Sequence, residues 1–173
     1  RKRLAPRRVN LRAVTVSPAC KEIAMSSTAK PVPDGFHTVT PYLVADDAKA
    51  VIAFMQQAFG AEFDHRPTRR PDGKLMHATL RVGDARVMIG NASERAKAMP
   101  AMLYVYVRNV DEVYAAAIKA GGKEIMPPTD MFYGDRSGGV TDPAGNQWYI
   151  ATHIEDVSDA ELQKRAMEMF KQG

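Results

Sequence analysis

The segment SGGVTDPAGNQWYIAT, residues 137–152, decides the fold of this chain. Its centre, Asp142-Pro143-Ala144-Gly145-Asn146, consists of residues that favour tight turns, because proline presets one backbone angle and glycine tolerates positive φ. The residues on either side include β-branched and aromatic types, which favour extended strands. The segment therefore predicts two strands, Ser137–Thr141 and Gln147–Thr152, joined by this turn.

A strand, a helix and a further strand precede this pair. Met102–Val107 has a strand-like pattern, and Asn109–Asp111 then opens an amphipathic helix that ends at Gly121. The apolar face of this helix consists of Val110, Val113, Tyr114, Ala117 and Ile118. Lys123–Met126 follows as another strand. The second half of the chain is therefore predicted to be a βαβββ module over about residues 100–153.

The first half repeats this order about sixty residues earlier. Asp46 or Asp47 supplies an N-cap for a helix that Gly60 ends in the left-handed conformation. Its apolar face consists of Ala48, Val51, Ile52, Met55, Ala58 and Phe59. The strands are predicted at Thr38–Val44, Glu62–Arg66, Leu75–Val82 and Arg86–Ile89. Two tandem βαβββ modules, at about 36–92 and 100–153, make this an α+β protein.

The two ends of the chain differ from this central domain, 34–157. Residues 1–24 hold seven basic residues and one acidic residue, a net charge of +6, so residues 25–173 carry −2 of the chain's +4. We expect residues 1–33 to be a disordered leader. Two interpretations stay open: a transit-like peptide, or upstream sequence before a true start at Met25. Because the positive charge lies in the leader, a nucleic-acid partner is not expected.

A C-terminal helix is predicted over 158–173. Ser158 and Glu161 form a capping box at its start. Its apolar face consists of Leu162, Ala166, Met169 and Phe170.

The sequence favours a cytoplasmic location without a membrane partner. The single cysteine, Cys20, lies in the leader, so the domain has no disulfide and no thiolate metal site. No apolar run approaches the roughly 18–20 residues that a membrane-spanning helix needs.

The paired modules resemble the vicinal oxygen chelate superfamily of glyoxalases, bleomycin-resistance proteins and extradiol dioxygenases. Within it, the segments at 40–43 (TPYL), 73–90 (GKLMHATLRVGDARVMIG) and 132–156 (FYGDRSGGVTDPAGNQWYIATHIED) are similar to the PhnB-like branch. The resemblance implies two curved sheets, each with its helix on the convex face, that form a cup for a small molecule. It also implies a homodimer.

Strand alternation predicts which side chains line this cup, because successive residues of a strand point to opposite faces. The face expected to pack on the helices consists of Val39, Leu43, Met76, Ala78, Leu80, Val82, Leu103, Val105, Val107, Trp148 and Ile150. The opposite face carries hydroxyl and aromatic side chains suited to an organic ligand. Its expected ligand-binding residues are Thr40, Tyr42, Thr79, Tyr104, Tyr106 and Tyr149.

Metal-dependent members of the superfamily bind a divalent ion through histidine and glutamate ligands on the first and last strands of each module. In this chain those positions fall on Thr40, Gly90, Met102 and Tyr149, none of which is an imidazole or a carboxylate. The predicted cup face also contains no aspartate or glutamate. We therefore predict neither a metal site nor another cofactor, although a metal site elsewhere stays an alternative.

His77 is the candidate catalytic residue, because it is predicted to point inward from a central strand, where it could act as a general base. A buried histidine bonded to a neighbouring hydroxyl is the alternative. Tyr133 and Arg136 are further candidates for ligand binding. Gly134 and Gly138 would allow the backbone to approach a ligand closely, and the Arg136 guanidinium could bind an anionic group of that ligand. A salt-bridged turn is the alternative there.

Three functions follow from these residues. The first is metal-free binding of a small organic molecule, as in resistance proteins. The second is a lyase, isomerase or dioxygenase-type enzyme that uses His77 and Arg136, or a relocated metal. The third is a regulatory dimer with a vestigial cup. The sequence favours the first and does not indicate the ligand.

Overall fold

The computed structural model describes residues 29–171, and every helix and strand lies in a compact unit that begins at Val32. The expectations for residues 1–28, including those for Cys20 and Met25, lie outside the described residues. Among residues 29–171, no helix is both long and apolar enough to cross a membrane.

The first module forms a five-stranded mixed sheet with one helix. Its elements are β1 (Tyr42–Ala45), α1 (Ala48–Phe59), β2 (Glu62–Phe63), β3 (Thr68–Arg69), β4 (Leu75–Val82) and β5 (Ala85–Asn91). The strand order is β1-β5-β4-β2, and β3 pairs with β4. β1 is parallel to β5, because the chain crosses over through α1 before it returns to the sheet.

The second module has the same connectivity in a four-stranded sheet. Its elements are β6 (Met102–Tyr106), α2 (Val110–Lys119), β7 (Lys123–Asp130), β8 (Asp135–Thr141) and β9 (Gln147–His153). The order is β6-β9-β8-β7, with β6 parallel to β9. A last helix, α3, spans Asp159–Lys171. The predicted α+β class with two tandem βαβββ modules and a C-terminal helix is confirmed.

The helix ends form as their sequences predict. The Asp47 side chain accepts a hydrogen bond from the Ala50 N–H, and Gly60 ends α1 with a φ of 64°. Asn109 caps α2 by accepting from the Glu112 N–H. These caps satisfy backbone groups that have no partner inside a helix, so a few polar residues fix where each helix begins and ends.

The Asp142–Asn146 turn is held by a buried carboxylate. Asp142 accepts hydrogen bonds from the backbone N–H groups of Ala144 and Asn146 at 2.8 and 3.0 Å. It also accepts from the Asn146 side-chain amide at 2.8 Å and from the Trp148 indole N–H at 3.1 Å. All of these donors lie within six residues, so the turn and the start of β9 are fixed locally.

The two modules of the chain meet through their helix-bearing faces. Trp148 is buried on the helix side of the second sheet, as predicted, and its ring centroid lies 6.1 Å from that of Phe54 and 5.0 Å from that of Phe59 in α1. α1 also packs against α2. The core therefore lies between the sheets, around the helices, and the helix-free faces are turned toward solvent.

Several predicted positions differ from the structure. β1 begins at Tyr42 rather than Thr38, so Val39 is exposed instead of facing a helix. Met76 is 57% exposed rather than in the core, because the β3–β4 pairing shifts register between Thr68 and Arg69. Such a bulge changes the direction of the side chains beside it.

The C-terminal helix buries less than predicted. Leu162 and Ala166 of α3 are half-buried and Met169 is exposed. The side chain of Phe170 lies outside what the structure describes.

Candidate functional site

The helix-free face of the second sheet brings together the most concentrated set of polar and aromatic side chains. Tyr104 is paired with Tyr149 across β6 and β9, and Asp135 is paired with His153 across β8 and β9. Tyr106 lies two residues beyond Tyr104, and Tyr133 reaches the same place from the turn before β8. We call this surface the tyrosine face; it consists of Tyr104, Tyr106, Tyr133, Asp135, Tyr149 and His153.

Asp135 is the centre of the tyrosine face. It is only 3% exposed, and its Oδ2 accepts hydrogen bonds from the hydroxyls of Tyr104 at 3.1 Å and Tyr106 at 2.9 Å. Its Oδ1 lies 2.8 Å from His153 Nδ1. On the other side of the ring, His153 Nε2 lies 3.0 Å from Asp156. A buried carboxylate is thus held by donors from two strands.

These contacts determine the protonation of the cluster. Burial acts to raise the pKa of Asp135, but the hydrogen bonds from His153, Tyr106 and Tyr104 outweigh it and hold the pKa below its usual value. The hydrogen bonds to Asp135 and Asp156 raise the pKa of His153. Burial raises the pKa of Tyr104, and the bond to Asp135 raises the pKa of Tyr106. Asp135 is therefore an anion, and both phenols keep their protons at neutral pH.

The tyrosine rings remain open to solvent although their hydroxyls are bonded. Tyr104 is 43% exposed and Tyr106 is 64% exposed. The rings of Tyr104 and Tyr149 are almost parallel, with centroids 6.4 Å apart, and the centroids of Tyr104 and Tyr106 are 5.2 Å apart. Exposed, closely spaced aromatic rings beside a buried charge are a typical surface for an organic ligand.

A smaller cluster occupies the helix-free face of the first sheet. His77 Nδ1 lies 3.4 Å from the Tyr42 hydroxyl, and its Nε2 lies 3.2 Å from the Thr79 hydroxyl. His77 is half-buried and Thr79 is buried. The predicted residues Tyr42, His77 and Thr79 therefore lie together. His77 also has hydroxyl partners, as expected if it is a histidine held by hydrogen bonds rather than a catalytic base.

Arg136 does not join either cluster. It points to the helix side of the second sheet, because adjacent residues on β8 face opposite ways. Its guanidinium donates two hydrogen bonds to Asp111 on α2, at 2.8 and 2.9 Å, and one to Asp130 at 2.8 Å. The expectation of a ligand clamp at Arg136 is therefore replaced by a structural ion pair, formed with Asp111 and Asp130 rather than with Asp135.

Gly134 approaches protein backbone rather than a ligand. Its φ is 97°, and a Cβ at this position would lie 2.1 Å from the carbonyl oxygen of Glu155. The Gly134 carbonyl accepts hydrogen bonds from the N–H groups of Ile154 and Glu155. This glycine therefore joins the turn before β8 to the end of β9.

The metal-ligand positions implied by the superfamily do not fit a divalent ion here. Thr40 precedes β1 and donates its hydroxyl proton to the His37 carbonyl. A Cβ at Gly90 would lie 2.8 Å from the Met76 carbonyl oxygen and 3.0 Å from the Tyr42 hydroxyl, so neighbouring atoms already fill the space of a side chain at that position. Met102 and Tyr149 offer neither an imidazole nor a carboxylate. Across residues 29–171, no group of three or more His, Cys, Asp or Glu side chains is arranged to hold a metal.

Asp135 and His153 are the members of the tyrosine face that sequence reasoning did not select. The prediction that the cup face lacks a carboxylate is wrong, because β8 begins at Asp135 rather than at Ser137. The pattern held one usable signal: Asp135, Ser137 and Gly139 alternate along one face once the strand is extended by two residues. The sequence instead predicts that Gly134 and Asp135 lie outside the strand, in a segment close to a ligand, with a salt-bridged turn as the alternative.

Comparison with known proteins agrees with this architecture. A family model described as the glyoxalase/bleomycin resistance protein/dioxygenase superfamily matches residues 35–150. The chain belongs to this superfamily. An uncharacterised protein of Mycobacterium bovis is 34% identical to it over 137 residues, which cover 72% of this chain and 89% of that protein. A second uncharacterised relative, from Mycobacterium tuberculosis, has the same identity and is covered over 79% of its length.

Solved structures share the fold at lower identity. TioX from Micromonospora sp. ML1 has a TM-score of 0.57 and 24% identity, covering 67% of this chain and 98% of TioX. A Bacillus cereus PhnB protein, described as a putative 3-demethylubiquinone-9 3-methyltransferase, has a TM-score of 0.54 and 20% identity. The match covers 67% of this chain and 99% of the PhnB protein. These relatives carry different functional descriptions, so membership of the superfamily does not determine the function of a protein. The function has to be argued from the site.

Proposed function

We propose that this protein binds a small planar organic molecule on the tyrosine face without the superfamily's usual metal. The observation that carries the proposal is the set of solvent-exposed tyrosine rings around the buried Asp135 carboxylate. A ligand that covers the apolar ring surfaces removes them from water, which favours binding. The fixed polar groups then orient that ligand.

A second copy of the chain completes the cup in this proposal. Since α1 and α2 lie between the two sheets of one chain, its two helix-free faces do not enclose a common space. The tyrosine face of one copy would lie opposite the Tyr42–His77 cluster of the other. A symmetric dimer forms two such cups from one self-complementary interface. Light scattering at micromolar concentration should report twice the chain mass.

The absence of a metal is part of the proposal. It is supported by the lack of imidazole and carboxylate groups at Thr40, Gly90, Met102 and Tyr149. Metal analysis of protein purified without chelator is expected to find no stoichiometric divalent ion. A stoichiometric ion that is lost in a His77→Ala variant would replace this proposal with a relocated metal site.

The branch and the compartment are also proposals. The segments at 40–43, 73–90 and 132–156 support the PhnB-like branch. The lack of cysteine from residue 21 onward supports a cytoplasmic location, because disulfides mark oxidising compartments.

Ligand screening tests the binding role. A panel of neutral, anionic and cationic aromatic compounds would be measured by the shift in Tm, for the parent protein and for Tyr106→Leu. At least one compound should raise the Tm of the parent and have a smaller effect on the variant, because Tyr106 is exposed and its loss spares the core. Ile118→Ala on α2 is the control for loss of an exposed apolar side chain elsewhere.

A lyase or isomerase is the second candidate, and one observation favours it. His153 is oriented by Asp135 through Nδ1, which is the arrangement of many catalytic histidine–carboxylate pairs. His153 is therefore the catalytic candidate in place of the predicted pair His77 and Arg136, because Arg136 lies on the helix side of the sheet. The enzyme interpretation predicts that His153→Gln abolishes turnover of a bound compound while its binding is retained. A variant that loses binding and turnover together would argue against it.

A further inference from the structure

We propose that the tyrosine face selects aromatic molecules that carry a positive charge, which is an inference about ligand class that rests on the proposed binding function. Four features carry it: the direction in which the hydroxyl protons point, the exposed ring surfaces, the local charge balance, and the positions of the nearby cationic side chains.

Three of the four tyrosines of the tyrosine face already donate their hydroxyl protons within it. A phenol has one proton to donate. Tyr104 and Tyr106 donate theirs to Asp135. The Tyr133 hydroxyl lies 3.4 Å from that of Tyr104, so Tyr133 is left as the donor in that contact. The hydroxyls of Tyr104, Tyr106 and Tyr133 therefore have no proton left to donate to a ligand, so an anionic ligand would find few donors among them.

The exposed rings favour a cation as well. The face of an aromatic ring carries partial negative charge and attracts a cation placed over it. Tyr104 and Tyr106 lie side by side with their hydroxyls fixed on Asp135, so their rings need no reordering when a ligand arrives. A carboxylate behind several aromatic rings is a favourable surrounding for an ammonium or pyridinium group.

The charge balance of the cluster is negative in either state of His153. Asp135 and Asp156 contact opposite nitrogens of the same imidazole. With His153 protonated, the three side chains sum to −1; with His153 neutral, they sum to −2. Neither protonation state offers an anion a net attraction.

Two arginines near this end of the sheet are already paired elsewhere. Arg136 is held by Asp111 and Asp130 on the helix side. Arg165 of α3 donates to Glu155 and Glu161. Lys123 lies beside Thr141, six residues along β8 from Asp135, which is about 20 Å at the usual rise of a strand. A cationic ligand at Asp135 therefore does not compete with Arg136, Arg165 or Lys123. Arg108, two residues beyond Tyr106, is exposed and lines a cleft with Tyr104 and Tyr106, so its charge opposes a cationic ligand on that side.

Equilibrium dialysis at pH 8 with three probes tests the inference on the full chain. N-methylquinolinium is a planar cation, quinoline is its neutral counterpart, and 1-naphthoate is an anion of similar size. We expect N-methylquinolinium to bind at least about tenfold more tightly than quinoline, because ring and carboxylate contacts add to the stacking that both share. We expect 1-naphthoate to bind most weakly.

Two variants locate the source of the preference. Asp135→Asn should reduce the preference for N-methylquinolinium over quinoline to about twofold or less, while quinoline binding changes little. Glu112→Gln makes the same change in net charge at an exposed position on α2, on the other side of the sheet, and should leave the preference intact. Tyr106→Leu should weaken both probes.

The outcomes separate this inference from the proposed function. Equal binding of N-methylquinolinium and quinoline, or tighter binding of 1-naphthoate, would overturn the charge selection and leave a binding protein. A preference that survives Asp135→Asn in a protein with parental circular dichroism would also overturn it. If no aromatic compound of any charge binds, the proposed function itself fails.

Discussion

Asp135 and Asp142 lie at the two ends of β8, and both are buried carboxylates that accept several hydrogen bonds. The donors to Asp142 all come from residues 144–148, within its own turn. The donors to Asp135 come from β6 and β9, and they are tyrosine and histidine side chains whose outer surfaces are exposed. One carboxylate organises a backbone turn, and the other organises a surface.

The difference teaches how a structural carboxylate is distinguished from a candidate site. Backbone donors within a few residues are satisfied by folding itself and leave nothing for a ligand. Around Asp135, side-chain donors from separate strands are brought together beside exposed rings, although burying polar groups costs free energy. A backbone turn such as that at Asp142 forms without such an arrangement. The same substitution at both positions should therefore have unlike effects.

Asp142→Asn is expected to have the largest effect on stability. Each Asp142 oxygen accepts two hydrogen bonds, so an amide NH₂ in place of either oxygen would face donors with no acceptor. We expect the free energy of unfolding to fall by about 3 kcal/mol, as for a buried charged group that loses its partners. Urea unfolding measures this loss. A change below about 1 kcal/mol would mean that the turn does not depend on the carboxylate.

Asp135→Asn should cost less. Its carbonyl oxygen can still accept from Tyr104 and Tyr106, and its NH₂ can donate to His153 Nδ1 once the imidazole proton moves to Nε2, beside Asp156. We expect a loss of about 1 kcal/mol, because neutral hydrogen bonds replace charge-assisted ones. The measurement is the same urea titration. A loss as large as that of Asp142→Asn would assign Asp135 a mainly structural role.

His153→Gln should have the smallest effect, and one that depends on pH. Contact with Asp135 and Asp156 raises the pKa of His153 above its ordinary 6.5. A raised folded-state pKa gives stability that is fully present below 6.5 and is lost as pH rises through the folded value. The parent's stability advantage over His153→Gln should therefore shrink between acidic and mildly alkaline pH. A constant difference would show that the imidazolium is not stabilised by these carboxylates.

Local signals in the sequence predicted most of the fold. The caps at Asp47 and Asn109 and the Asp142–Asn146 turn depend on residues within a few positions, so they could be identified from the sequence. Trp148 was assigned to the core by strand parity alone. These are the features for which local chemistry and the tertiary structure agree.

The site was only partly predictable because it depends on pairing between distant segments. β8 extends to Asp135 because that residue pairs with His153, eighteen positions away, and the local alternation of residues does not by itself show how far the strand extends. Arg136 moves to the helix side as a consequence of the same extension. Periodicity also predicted apolar faces on α1 and α2 without indicating that the two helices pack on each other.

The most direct test of the central claim is an NMR titration of protein with ¹³C-labelled tyrosine rings. Of the six tyrosines, Tyr104, Tyr106, Tyr133 and Tyr149 lie on the tyrosine face, whereas Tyr114 donates its hydroxyl to Glu124 on the helix side. A compound that binds as proposed will shift the four signals of the tyrosine face in a saturable way and leave Tyr114 unchanged. Saturable binding that leaves those four signals in place would contradict the assignment of this face as the binding site.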